Sequence, residues 1–321
     1  GTGFGGGGGG GGGGGKKKKG GGGSGSGGGG EDEQRRRLAE KQADRVRRDG
    51  VLRVDGALSS ETTDALREHI LTQRDLAYDD IDRNPAMART YLGVEGGRKN
   101  RCDLHLSLLR GGIAAAAAAA SGGEGSDDDD ESAGTSHPLA DALKELLGDD
   151  GTLRPLYEEL VTPDGEFYEL AAVVTDPGSD RQMIHPDLPY QSDAPLYVIF
   201  LALQDVTEKM GPTTFLVKSH TAKACEMFSG GTESKDEQLV KSDCRLATLR
   251  KGDAVLFDAR MLHCGGGNDA EEGNTRAMLN FSFRNPKVNG DIGYKGSMMP
   301  GYVGAMTLRD VGEALGSYGG G

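Results

Sequence analysis

The sequence predicts a mainly β fold, an antiparallel sandwich or barrel with helices flanking one sheet. Three observations carry this. From about residue 166 the chain breaks into short segments rich in β-branched, aromatic and aliphatic residues, among them EFYELAAVV, RQMIH, LYVIFLAL, TTFLV, RLATL, AVLFD and RAMLNFSF. Clusters of Gly, Pro, Asp or Ser separate these segments and mark them as strands joined by turns. The half before residue 166 instead carries helical periodicity, which supplies the flanking layer.

In chain order, residues 1–30 are nearly all glycine, interrupted by Lys16 to Lys19, and nothing there offsets the entropy of ordering a backbone, so the tract is expected to be unstructured. Residues 31–50 form a strongly charged helical segment with a thin apolar stripe, read as solvated and ending at Gly50. Val51, Leu52 and Val54 suggest a short strand, after which Ser59 or Ser60 caps a helix carrying Leu66, Ile70 and Leu71 on one face. Residues 111–136 hold glycines, an alanine run and the acidic block Asp127 to Glu131, a composition expected to stay solvated. HPLADALKELLG follows as a helix, with His137 at its boundary. Residues 51–316 are therefore expected to form one domain interrupted by a disordered insertion at about 111–136.

Composition narrows the function. The net charge is −13, and without the four lysines of the glycine tract it is −17. This argues against a nucleic-acid partner, which needs a basic face. Cys102, Cys225, Cys244 and Cys264 are scattered with no C-x-x-C pair, as expected of reduced thiols and not of a disulfide framework or a zinc site. The longest apolar run, PLYVIFLAL at 195–203, is too short to span a membrane. An intracellular location is expected, cytoplasmic in the first instance. An organellar one stays open because the chain starts at Gly1 and not at Met.

The chemistry is carried by His185-Pro186-Asp187 in RQMIHPD. Alone, the pair has a bland reading as a turn. On an extended strand, however, residues 185 and 187 share a face while Pro186 points away, so two metal ligands converge from one segment. A facial iron site needs one more histidine, and His263 stands at a strand end 78 residues on. Thirteen residues further, Arg276 opens the apolar strand RAMLNFSF. A cation there is costly unless it meets an anion such as a bidentate carboxylate; the bland alternative is that it snorkels or pairs with an acidic neighbour such as Asp258. Two other pairs invite over-reading. Ser219-His220 is read as a structural turn, and Cys264 as pointing away from the metal.

RQMIHPD, GPTTFLVKSH at 211–220, LFDARMLHCGGGN with TRAMLNFSF, and the opening DGVLRVDGALSSETTDALREHI together resemble the phytanoyl-CoA dioxygenase family of Fe(II)- and 2-oxoglutarate-dependent oxygenases. The resemblance implies a double-stranded β-helix core, jelly-roll and cupin-like. It implies His185, Asp187 and His263 as iron ligands and Arg276 as partner of the distal carboxylate of 2-oxoglutarate. Gln182 is implied to face the cosubstrate, and Arg101 and His105, in RKNRCDLHLSL, to line the substrate pocket. The implied reaction is hydroxylation of a small organic or lipid-like substrate with release of succinate and CO2. Its cosubstrates are 2-oxoglutarate and O2, with ascorbate as reductant. Two alternatives remain at this level, a non-catalytic relative acting in binding or regulation and a cupin-type metalloenzyme that does not use 2-oxoglutarate.

Three departures from the family pattern stand out. Val217-Lys218 replaces a Pro-Gly turn, Met278 occupies the position of a serine that pairs with the arginine in other 2-oxoglutarate enzymes, and the strand after H-x-D reads as aliphatic from Val198 to Leu201. The last leads to the expectation of a less aromatic pocket wall. Neither the substrate nor the oligomeric state is legible in the sequence.

Overall fold

A computed structural model of the chain describes residues 28–93, 99–106, 137–293 and 306–318. Most of the expected Gly-rich tract (residues 1–27) and the whole expected insertion at 111–136 lie outside the described residues.

The helical layer comes largely from the first half. Helix α1 (Gly28–Asp49) is followed by strand β1 (Val51–Val54), helix α2 (Ser60–Arg83), a one-turn helix α3 (Ala88–Tyr91) and strand β2 (Arg101–His105). Helices α4 (Pro138–Leu147) and α5 (Arg154–Val161) come next. Ser59 caps α2 by accepting from the Thr62 N–H, satisfying one of the donors that a helix start leaves free. His137 caps α4 in the same way, its Nδ1 accepting from the Leu139 N–H at 3.3 Å. Helix α1 is more than the solvated segment expected. Its narrow stripe Ala39, Ala43 and Val46 is buried, and the helix packs on α5 and β1.

The β region contains β3 (Glu166–Thr175), β4 (Leu196–Ala202) and β5 (Thr214–Leu216). After helices α6 (Ala222–Ser229) and α7 (Thr232–Lys241) come β6 (Cys244–Leu246), β7 (Ala254–Asp258), β8 (His263–Cys264) and β9 (Arg276–Arg284). Helix α8 (Leu308–Ser317) closes the described chain. One sheet has six strands in the order β1-β7-β4-β9-β3-β2 and the other three in the order β6-β5-β8. Every pairing is antiparallel. The core is a jelly roll of antiparallel sheets with flanking helices.

Period-two alternation explains how the large sheet serves two layers. On β9, Ala277, Leu279, Phe281 and Phe283 join the cluster formed with Leu139, Leu143, Tyr157 and Leu315 from the helices. On β4 and β7, Val198, Val255 and Phe257 face the other way, toward Phe215 of β5. A register shift between Phe167 and Glu169 bulges β3 and keeps Glu169, Ala171 and Val173 on this inner face, where all three line a cavity between the sheets.

One expected strand is absent. Residues 181–184 of RQMIH carry no strand hydrogen bonding, and His185 makes only an isolated bridge to His263. Its partner β8 is two residues long, so there is no ladder for a strand to extend along. The turn before Ser219 keeps the left-handed geometry that glycine would favour: Lys218 takes φ 64° there, and its N–H donates to the Asp49 carbonyl at 2.9 Å.

Candidate metal centre

The segment carrying H-x-D is an extended arm stitched to the chain around β8. The His185 N–H donates to the His263 carbonyl at 3.0 Å, and the His263 N–H returns a bond to the His185 carbonyl at 2.9 Å. Below them, the Asp187 and Leu188 N–H groups both donate to the Ala259 carbonyl at 3.0 Å. Above them, the Gln182 N–H donates to the Gly265 carbonyl at 2.9 Å, while the Gly265 N–H donates to Gln182 Oε1 at 2.8 Å. A Cβ at position 265 would stand 2.7 Å from that same oxygen, so glycine permits the close approach. From the other side, Ser219 Oγ accepts from the Leu262 N–H at 2.8 Å and donates to the Leu216 carbonyl at 2.6 Å. Ser219 is thus the structural turn residue expected, and it holds the chain one residue before His263.

This stitching brings the three side chains together. Asp187 Oδ1 lies 3.8 Å from His185 Nε2 and 3.5 Å from His263 Nε2. One ligand atom from each residue lies within 4.8 Å of the others. The tautomers follow from the backbone. His185 Nδ1 is 2.8 Å from the Met183 carbonyl and His263 Nδ1 is 3.0 Å from the Met261 carbonyl. A carbonyl only accepts, so each Nδ1 carries a proton, and Nε2 is the nitrogen that faces Asp187 and is left to ligate a metal. Fixing the far nitrogen in this way is how metal-ligating histidines are oriented. Two neutral imidazoles and a carboxylate form a donor set that fits Fe(II).

The site is closed on one side and open on the other. His263 is 4% exposed and packs against the rings of Phe257 and Phe215, with centroids 5.0 and 5.8 Å away. The side chains of His185 and Asp187 keep 37% and 35% of their surface accessible. All three line a cavity of about 350 Å³.

Arg276 lines the same cavity from the first position of β9 and is 4% exposed. Its guanidinium donates to the Gly211 carbonyl, Nε has no hydrogen-bond partner, and no carboxylate pairs with it among the described residues. Asp258, the acidic neighbour weighed from the sequence, pairs instead with Arg260 at 2.6 Å. Burial first, and the nearby Arg101 second, bring the Arg276 pKa down to about 10, so the group is still a cation at neutral pH. Gly211 has φ 66°, and a Cβ there would collide with the Gly266 and Gly267 carbonyls. Glycine therefore lets the acceptor reach the guanidinium.

The remaining expected residues also line the cavity. Gln182 does so with its oxygen committed to Gly265. Arg101 is held by Asp103, with Nη2 to Oδ1 at 2.6 Å. Burial lowers the His105 pKa, against a smaller raising effect of a bond to the Thr90 backbone, so His105 is neutral at pH 7. Cys264 is buried and receives a contact from Arg181 Nη2 at 3.6 Å. All four cysteines are free.

The expectation of a less aromatic wall is corrected. Phe200 of β4 lines the cavity and its ring sits 5.2 Å from that of Phe257; the run read as aliphatic contains this phenylalanine. Sequence reasoning also passed over Asp103, Glu169 and Asn280, all in the lining. The signal for Asn280 was present, since residues 276, 278 and 280 share one face of a strand.

No helix of the described residues is long and apolar enough to cross a membrane. A family profile described as phytanoyl-CoA dioxygenase (PhyH) matches residues 46–277. Among curated proteins, the iron/alpha-ketoglutarate-dependent dioxygenase okaE of Penicillium ochrochloron is 29% identical over 146 residues. That match covers 42% of this chain and 45% of the relative, so the chain spans under half the length of the curated protein it matches. Among solved structures, the non-heme alpha ketoglutarate dependent epimerase SnoN from nogalamycin biosynthesis is 17% identical, with TM-score 0.46, over 82% of this chain and 95% of that one. The carbocyclase SnoK from the same biosynthesis is 14% identical, with TM-score 0.49, over 76% and 83%.

Proposed function

The chain belongs to the phytanoyl-CoA dioxygenase family, and from that premise we propose that it is an Fe(II)- and 2-oxoglutarate-dependent dioxygenase that hydroxylates a small organic substrate. One observation carries the reading: a buried arginine with no carboxylate partner among the described residues faces the same cavity as a converged His-Asp-His set. A cupin-type enzyme without a keto acid has no use for such a cation, whose burial is costly unless an anion meets it.

His185, Asp187 and His263 would hold the metal through Nε2, a carboxylate oxygen and Nε2, a three-donor set that leaves other coordination positions to cosubstrates. When bound, Fe(II) supplies the activation of O2, coupled to oxidative decarboxylation of 2-oxoglutarate to succinate and CO2, by which one oxygen atom enters a substrate C–H bond. The chain's own contribution is positioning. Arg276 offers a planar fork to the distal carboxylate of the keto acid. The Met183 and Met261 carbonyls hold both imidazoles in the ligating tautomer. Phe200, Phe257 and Phe215 screen the His263 side from water. The cavity lies near the lower end of the ~300–1,000 Å³ typical of small-molecule sites, which favours a compact substrate or one arm of a larger one.

The test is succinate formation from 2-oxoglutarate by purified protein with Fe(II), O2 and ascorbate. Iron-dependent succinate, abolished by His185→Ala or Asp187→Ala, is expected. A folded wild-type protein that turns over no 2-oxoglutarate, even slowly and without substrate, would contradict the proposal.

A further inference from the structure

The inner face of β9 carries two polar groups separated by an apolar one. Arg276, Met278 and Asn280 alternate with Ala277 and Leu279 and line the cavity together. Four residues of strand span roughly 13 Å at ~3.3 Å per residue. The four C–C bonds of 2-oxoglutarate, at about 1.5 Å each, give it a length of no more than about 6 Å between terminal carbons. A keto acid anchored at Arg276 therefore ends short of Asn280, with Met278 between them.

Asn280 is 8% exposed, and its amide forms no hydrogen bond among the described residues, Oδ1 being fully enclosed. Burying an amide unsatisfied is costly, and the position is not an edge that fluctuates into water: Asn280 sits mid-strand, registered with Phe200 on one side and Ala171 on the other. Ala171 in turn registers with His105 on β2. The small alanine makes the floor of a notch with Asn280 on one wall and His105 on the other, two strand spacings or roughly 10 Å apart between backbones. The notch adjoins the metal side, because Phe200, beside Asn280, packs tilted against Phe257, which packs in the same way against His263.

We infer that the notch between His105 and Asn280 receives a neutral hydrogen-bond-accepting group of the primary substrate, such as an amide carbonyl, and that Asn280 reads it through Nδ2. The inference rests on the function proposed above and narrows its substrate class to compact, largely apolar molecules bearing such a group. An uncharged asparagine offers no charge to an ionic group, and with Oδ1 enclosed its amide offers the Nδ2 donor to the notch. The apolar remainder of the substrate would lie against Phe200, Met278 and Val255, which share the lining.

The experiment compares wild type with Asn280→Leu and with Ala171→Val, which fills the notch from its floor. The protein is loaded anaerobically with Fe(II) and 2-oxoglutarate, and benzamide and toluene are titrated as probes by ligand-observed NMR. Melting temperature and 2-oxoglutarate affinity are measured alongside. Wild type is expected to prefer benzamide, and both variants to lose at least tenfold of its affinity, about 1.4 kcal/mol, while binding 2-oxoglutarate as wild type does. Without ligands, Asn280→Leu should melt at or above the wild-type temperature, because an unsatisfied amide has been replaced by an apolar side chain. Three results would overturn the inference: a wild type with no preference for benzamide, a variant that loses 2-oxoglutarate instead, or an Asn280→Leu protein that melts lower and keeps its benzamide affinity. A wild type that fails to bind 2-oxoglutarate at all would instead strike the parent proposal.

Discussion

Arg276 has the most to lose from a wrong assignment, because its burial is costly in any reading that gives it no anion. Arg276→Ala is expected to raise the KM for 2-oxoglutarate by on the order of 10- to 100-fold, matching the ~1.5–3 kcal/mol of a hydrogen bond to a charged group. Its kcat at saturating keto acid should change far less. The pH dependence follows from burial, which brings the folded-state pKa down to about 10, well below the ordinary value of an arginine. In that window the unfolded chain holds more protons than the folded one, so this group's contribution to stability rises with pH. Anion binding moves the opposite way, and 2-oxoglutarate affinity should fall as pH passes about 10, a loss that Arg276→Ala should not show. How much of this residue was legible is clear from RAMLNFSF: an arginine opening an apolar strand announced an anion, and the structure removed the competing partner by giving Asp258 to Arg260. Asn280 went unread because a polar residue within that strand looked like an interruption. Alternation assigns it to the arginine's face.

At the scale of elements, the junction of α2 and α4 predicts an acid sensitivity. His69 on α2 and His137 at the cap of α4 meet edge to face with centroids 4.8 Å apart. Burial lowers both pKa values, the His137 charge lowers that of His69 further, and Asp141 partly offsets the effect on His137. A histidine whose folded pKa is depressed contributes fully above its unfolded value near 6.5 and loses that contribution as pH falls through the folded value. The melting temperature should therefore drop between pH 7 and 5, and His69→Phe, which keeps a ring in place, should flatten the slope. An unchanged slope would place the acid sensitivity elsewhere, His105 being the next candidate. Strands with a ladder on each side, such as β4, β7 and β9, were readable from period-two apolar patterning. The H-x-D arm was not, because it is held by a few backbone bonds to residues far along the chain, such as His263 and Ala259, and local sequence carries no record of such bonds. The docking of α1 was hidden for a related reason, its buried stripe being made of two alanines and a valine.

The whole molecule joins three regions distant in sequence. An arm at 181–188, strand β8 and the start of β9 converge only because the sheet order places β9 between β4 and β3 and lays the small sheet over the inner face. The family resemblance made that convergence legible where composition and periodicity alone gave only an antiparallel fold with helices. Binding energy at such a junction is shared with folding, so Fe(II) and 2-oxoglutarate together should raise the melting temperature, by about 2.7 kcal/mol of stability at a hundredfold excess over Kd. Neither Arg276→Ala nor Asp187→Ala should gain as much. The most direct test of the central claim is calorimetric titration of 2-oxoglutarate into the protein with and without Fe(II) under anaerobic conditions. The account predicts tight binding with iron, much weaker binding without it, and loss of the difference in Asp187→Ala. Equal binding in the metal-free and iron-loaded protein, or no binding by a folded iron-loaded one, would contradict it.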